Sequence, residues 1–139
     1  VKLMTFAASG MIVASLAMSL FYKLKDGGNQ INSLAILAMV VYIVFFSLGM
    51  GAIPWLLMSE IFPARVRGIA GSVATCVNWT CSFIITETFS KLNAALGQSG
   101  TFLFFAIELC ITVAFIQKCV PETKGKSLEQ IEAFFNKQK

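Results

Sequence analysis

Three stretches of the chain carry no charged side chain: Leu3 to Tyr22, Ser33 to Met58 and Ile69 to Thr86, of 20, 26 and 18 residues. None alternates between apolar and polar positions, and each is apolar all round. A helix crosses the hydrocarbon layer in about 20 residues at about 1.5 Å per residue, so each run is long enough to span a bilayer. A fourth run, residues 100–117, is interrupted only by Glu108. The pattern predicts an all-α membrane protein with four transmembrane helices over residues 3–22, 33–58, 69–90 and 100–117, followed by a tail at 119–139. A soluble bundle is excluded because its helices need a polar face. A membrane β-barrel is excluded because its strands are about half this length and alternate.

Composition sharpens the picture. Charged residues make up 13% of the chain against roughly 25% in soluble domains, and 57% of residues are apolar. The net charge of +4 does not form a nucleic-acid stripe, because the basic residues flank the apolar spans. One side of the predicted bilayer holds Lys2, Arg65, Arg67, Lys118, Lys124, Lys126, Lys137 and Lys139, and the other only Lys23, Lys25 and Lys91. Positive charge concentrates at the cytoplasmic face, so both termini of the chain are expected there.

The polar link from Lys23 to Asn32 contains the turn cluster Asp26-Gly27-Gly28-Asn29. In the tail, Ser127 and Gln130 have capping-box spacing, and Leu128, Ile131 and Phe135 recur at three and four residues, which predicts a short amphipathic cytoplasmic helix. The run is too long and lacks a clear cleavage site for a signal peptide, and the chain starts at Val1, so an internal fragment of a longer protein is expected.

Chemistry is excluded more readily than assigned. The chain has no histidine, and its four cysteines show no metal-ligand or CxxC spacing, so an enzyme, a metal site and a cofactor are not expected. Span two places Gly49, Gly51 and Pro54 close together, followed at once by Trp55. Proline lacks an amide donor and clashes with the carbonyl four residues back, that of Met50, so this helix should kink or break. Broken helices in membranes line binding cavities or serve as packing kinks, and the segment alone leaves both open. Trp55 offers a flat apolar face and an N–H donor, which suits a sugar ring, although an interfacial aromatic belt would use it as well.

In span three, Gly71, Thr75, Asn78, Ser82, Ile85 and Phe89 repeat at three and four residues and so share one helical face. An amide such as that of Asn78 costs about 2–7 kcal/mol in hydrocarbon without a partner, which a ligand, water or another helix could supply. Glu87 stands on the opposite face and four residues before Lys91, as in a surface ion pair. Glu108 has no basic partner on its own helix and is expected to be protonated or paired elsewhere. In span one, Ala7, Gly10, Ala14 and Ala17 form a small-residue packing face.

Five motifs occur in order and in register: Gly49-Met50-Gly51-Ala52-Ile53-Pro54-Trp55, Ser59-Glu60-Ile61-Phe62-Pro63, Arg67-Gly68, Asn78-Trp79, and Pro121-Glu122-Thr123-Lys124-Gly125-Lys126. Together they closely resemble the sugar porter family of the major facilitator superfamily over essentially the whole chain. The resemblance implies spans nine to twelve of a twelve-helix fold that transports a hexose or disaccharide by alternating access, completed by N-terminal spans outside this chain. It implies that Trp55 and Asn78 contact the sugar, while Gly49, Gly51 and Pro54, at the break in span two, are the expected gating hinge. It also implies that Glu60, Arg67 and Glu122 belong to a cytoplasmic salt-bridge network. Ser47 stands where some animal glucose transporters carry glutamate; the intracellular-type animal, trehalose and plant early-dehydration-type branches are nearer. Proton coupling is not implied either way, and the alternative function is a non-transporting four-span scaffold.

Overall fold

The computed structural model describes residues 1–27, 32–126 and 129–131. Its elements are α1 (Lys2–Asp26), α2 (Asn32–Phe45), a π turn (Phe46–Met50), α3 (Ile53–Ile61) and α4 (Arg67–Cys119). Among the described residues there is no strand.

Helix α4 has 53 residues, yet its interior residue Gly97 has φ 70° and ψ 170°. That combination is open essentially only to glycine, which lacks the Cβ that would clash. It divides α4 into a first arm, 67–96, and a second arm, 98–119. Phe89 and Phe105 stack with ring centroids 6.4 Å apart. Sixteen residues of straight helix would separate them by about 24 Å, so the arms fold back on each other at Gly97. Three helical stretches are long and apolar enough to cross a membrane, Lys2–Lys25, Ser33–Ile61 and Arg67–Cys119. The last of them supplies two crossings, giving four in all. The link expected between residues 90 and 100 is therefore helical on both sides of a one-residue break.

Helix α1 sits at the centre and runs antiparallel to both neighbours. Its small residues allow close approach: Ala7 and Ala8 are fully buried, and Ala14 nearly so. A Cβ on Gly10 would enter the ring of Phe45, and one on Gly49 would lie 2.5 Å from the Ala7 Cβ and 3.2 Å from the Leu3 carbonyl oxygen. Without a hydrophobic drive between helices in lipid, such backbone proximity and its van der Waals contact hold the helices together. At the far end, Ser19 Oγ donates to the Ser99 carbonyl and Ser99 Oγ to the Ser19 carbonyl, each at 2.8 Å. Both hydroxyl hydrogens are thereby used, and the two oxygens, 3.1 Å apart, close the clasp between α1 and the second arm. Tyr22 stacks on Phe102 beside it, with centroids 5.5 Å apart.

The break predicted at Pro54 takes a definite form. The Gly51 amide donates to the Phe46 carbonyl at 2.8 Å, five residues back, so the turn before the proline is widened. A new helix, α3, then begins with Pro54 in its first turn, where the missing donor costs nothing. Ser127, Leu128 and Phe135 of the expected tail helix lie outside the described residues. Residues 129–131 are helical, and Ile131 is buried.

Candidate functional site

The π turn, α3 and the first arm of α4 line a half-open cavity of about 670 Å³. Trp55 and Asn78 both line it, with Phe46, Pro54, Trp79 and Ser82 among the other wall residues. The two residues singled out in the sequence thus meet in one space although they stand on different helices. Trp55 sits just after the break because α3 restarts with Pro54 in its first turn. Asn78 sits opposite because the first arm runs back past α3, where Met58 Cε comes within 3.9 Å of a Cβ placed on Gly71.

The polar stripe divides by role. Thr75 spends its hydroxyl on the Gly71 carbonyl one turn back, at 2.8 Å. Phe89, at the end of the stripe, packs on Phe105 of the second arm. The side chains of Asn78, Ser82 and Trp55 make no hydrogen bond among the described residues, although the Ser82 carbonyl accepts from Thr86 Oγ1 at 2.8 Å, so the amide, hydroxyl and indole N–H remain available to the cavity. An indole face beside an unspent amide and hydroxyl can hold a neutral polyol: the apolar C–H face of a ring stacks on the aromatic surface while its hydroxyls exchange hydrogen bonds. No acid–base pair lines this space.

Phe46 was missed in the sequence. On an uninterrupted helix, residues 46 and 55 stand nine positions apart, about 180° from each other at about 100° per residue. The π turn and the restart remove that register and put both aromatics on one wall. Gly49 is buried and faces α1, so its small size serves close packing there. Gly51 and Pro54 line the cavity.

The three residues grouped at the other end of α3 do not pair with one another. Arg67 Nε donates to the Phe62 carbonyl at 3.2 Å, and its Nη2 is buried without a partner. Glu60 is half-buried and forms no ion pair among the described residues. Glu122 Oε2 lies 3.2 Å from the backbone nitrogen of Val1, beside the start of α1 and away from Glu60 and Arg67. Glu87 and Lys91 are exposed and form no ion pair among the described residues. Glu108 is exposed on the second arm, and its carbonyl accepts from Thr112 Oγ1 at 3.1 Å.

Comparison with known proteins places this geometry. A "Facilitated trehalose transporter Tret1" of Polypedilum vanderplanki is 45% identical over 125 residues, covering 88% of this chain and 25% of that protein. The protein of the same description from Aedes aegypti is 46% identical over 125 residues, with 88% of this chain and 16% of that one covered. A "Facilitated trehalose transporter Tret1-2 homolog" of Drosophila simulans is 47% identical over 115 residues, 81% of this chain and 24% of that one. The chain therefore spans a quarter or less of the length of these relatives. The crystal structure of a double-tryptophan mutant of XylE superposes with a TM-score of 0.85 at 28% identity, over 96% of this chain and 28% of that one. The four crossings thus have the arrangement of part of a major facilitator fold. The sequence model of the family described as "Sugar (and other) transporter" matches residues 2–135, and the chain belongs to that family.

Proposed function

We propose that this chain forms the C-terminal four spans of a transporter that moves a hexose or disaccharide across a membrane by alternating access. Its N-terminal spans would supply the facing wall of the pathway. The single observation that carries the reading is that Trp55 and Asn78 share one cavity beside a broken helix, with their hydrogen-bonding groups unspent. Trp55 stacks on the sugar ring and Asn78 bonds its hydroxyls, while the π turn and Pro54 allow the wall to tilt as the cavity changes its opening. The names of the relatives direct the first assay to trehalose, with glucose as the shorter alternative.

The charge distribution supports placing Val1, Glu60, Arg67 and Glu122 on the cytoplasmic side. Arg67, with one buried nitrogen unpartnered, would complete its pairing with carboxylates only in one state of the cycle and so bias the equilibrium towards that state. The test is uptake of radiolabelled trehalose and glucose by the full-length protein in proteoliposomes, with and without Trp55→Ala. Uptake of one sugar that falls about tenfold or more in the variant supports the assignment. A folded protein that takes up and binds neither sugar would instead be a non-transporting scaffold.

A further inference from the structure

A second cavity lies away from the sugar wall, between α1, α2 and the second arm of α4. It has a volume of about 310 Å³ and is lined by Ser15, Met18, Met39, Tyr42, Phe102 and Phe105. Four of the six side chains are apolar, but the two hydroxyls are out of keeping with their surroundings. Ser15 is only 2% exposed. Its hydroxyl makes no hydrogen bond among the described residues, and neither does the Tyr42 phenol. Neighbouring hydroxyls in the same helices behave differently: Ser9 donates to the Thr5 carbonyl, Thr101 to that of Gly97 and Thr112 to that of Glu108. Ser15 Oγ is not sealed off, since it lines the cavity, and a hydroxyl without a protein partner is satisfied from the space it faces.

The position limits what that partner can be. Ser15 is in the middle of α1, a helix of 25 residues that crosses the bilayer, so the cavity sits near mid-membrane. A phosphate or ammonium headgroup is too costly at that depth. A sugar has more hydroxyls than two side chains can satisfy, and the remaining lining is apolar. We infer that this cavity is a binding site for a neutral single-chain alcohol, whose hydroxyl bonds Ser15 and Tyr42 and whose hydrocarbon chain lies among Met18, Met39, Phe102 and Phe105. The flexible methionines adjust to the chain, and the two rings form a fixed floor. The site is separate from Trp55 and Asn78, and its occupancy does not depend on which solute is transported.

The experiment uses the full-length protein in phosphatidylcholine nanodiscs with a diazirine-bearing octanol as the probe, and a diazirine-bearing octane as the control. After photolysis, the labelled residues are read by peptide mass spectrometry across a concentration series, with and without excess 1-decanol. Saturable labelling of the second cavity by the octanol, displaced by decanol, is expected. Ser15→Ala and Tyr42→Phe should each raise the half-saturating concentration about fivefold, as expected for one lost hydrogen bond, with thermal melting confirming that both variants fold. The octane should give no saturable labelling there. Labelling that rises linearly with concentration, that the octane matches, or that both variants leave unchanged overturns the assignment, and leaves the cavity to water or to ordinary lipid tails.

Discussion

The two arms of α4 are continuous in sequence and opposite in environment. The second arm packs into α1 and buries Thr101, Ala106, Leu109 and Ile116, whereas none of the first thirty residues of α4 is buried. Ile69 is 75% exposed, Trp79 67% and Phe83 64%. Large apolar side chains thus stand exposed on the first arm, so apolar character alone does not make a helix pack. In lipid it provides little drive between helices, and the difference comes from backbone proximity, small residues and the serine clasp. The seam of α1 with α2 and the second arm is self-complete. The first arm is held mainly through Gly97 and the rim of the cavity, and offers its surface to whatever faces it.

One substitution made on both sides of this boundary should show the largest contrast. Gly10→Ala pushes a methyl group into the Phe45 ring, while a Cβ on Gly68 meets nothing within 4 Å. The first should lower stability by about 1–3 kcal/mol and the second should stay within about 0.5 kcal/mol of the parent. Thermal melting of the full-length protein in detergent checks both, and equal effects would remove the distinction between seam and wall.

Asn78→Ala belongs to the wall. It should leave melting unchanged and weaken sugar binding by about 1–2 kcal/mol, roughly five- to thirtyfold, as read by equilibrium binding. If melting falls while binding holds, Asn78 is a helix contact and the cavity loses its amide.

Ser19→Ala and Ser99→Ala belong to the seam and should each cost about 0.6 kcal/mol, near the average for hydrogen bonds between membrane helices. Because the two hydroxyls act as one clasp, the double variant should lose less than the sum, and a double-mutant cycle on melting measures that coupling. Strict additivity would mean that the two bonds form independently.

The smallest effect belongs to Arg67→Ala. Exposed or partly screened pairs contribute about 0.2–1 kcal/mol, so the ratio of outward- to inward-open populations should shift by no more than about fivefold, towards the inward-open form. Cysteine accessibility from each side of the membrane reads this ratio, and an unchanged ratio leaves Arg67 as a topology-setting cation only.

Much of this was legible in the residues, for identifiable reasons. The spans follow from the absence of charge, and the break follows from Pro54, because a missing amide is a local property. Trp55 and Asn78 stand out locally, one beside a helix break and the other in a polar stripe, but those features left an interfacial tryptophan and a helix-packing amide open, and only the resemblance to sugar porters assigned both to the sugar. The π turn was not legible, since helical periodicity assumes the register that the turn changes, and Phe46 was lost with it. Residues 91–99 look like a loop because they are polar, but only Gly97 leaves the helical region. The Ser19–Ser99 clasp joins residues 80 apart, and no local pattern announces it. Gly49 had the signature of a hinge, and its contact with Ala7 could be found only from the crossing of two helices.

The division between a fixed seam and a working wall is tested most directly by locking the seam. In the full-length protein with Cys76, Cys81, Cys110 and Cys119 replaced by alanine, Ser19→Cys and Ser99→Cys place two thiols where the hydroxyl oxygens stand 3.1 Å apart. Sugar uptake is then measured before and after oxidation, and again after reduction. If α1 and the second arm move as one body, the oxidised transporter should work at the rate of the reduced one. Uptake that stops on oxidation and returns on reduction would show that the seam opens during transport, contradicting the division.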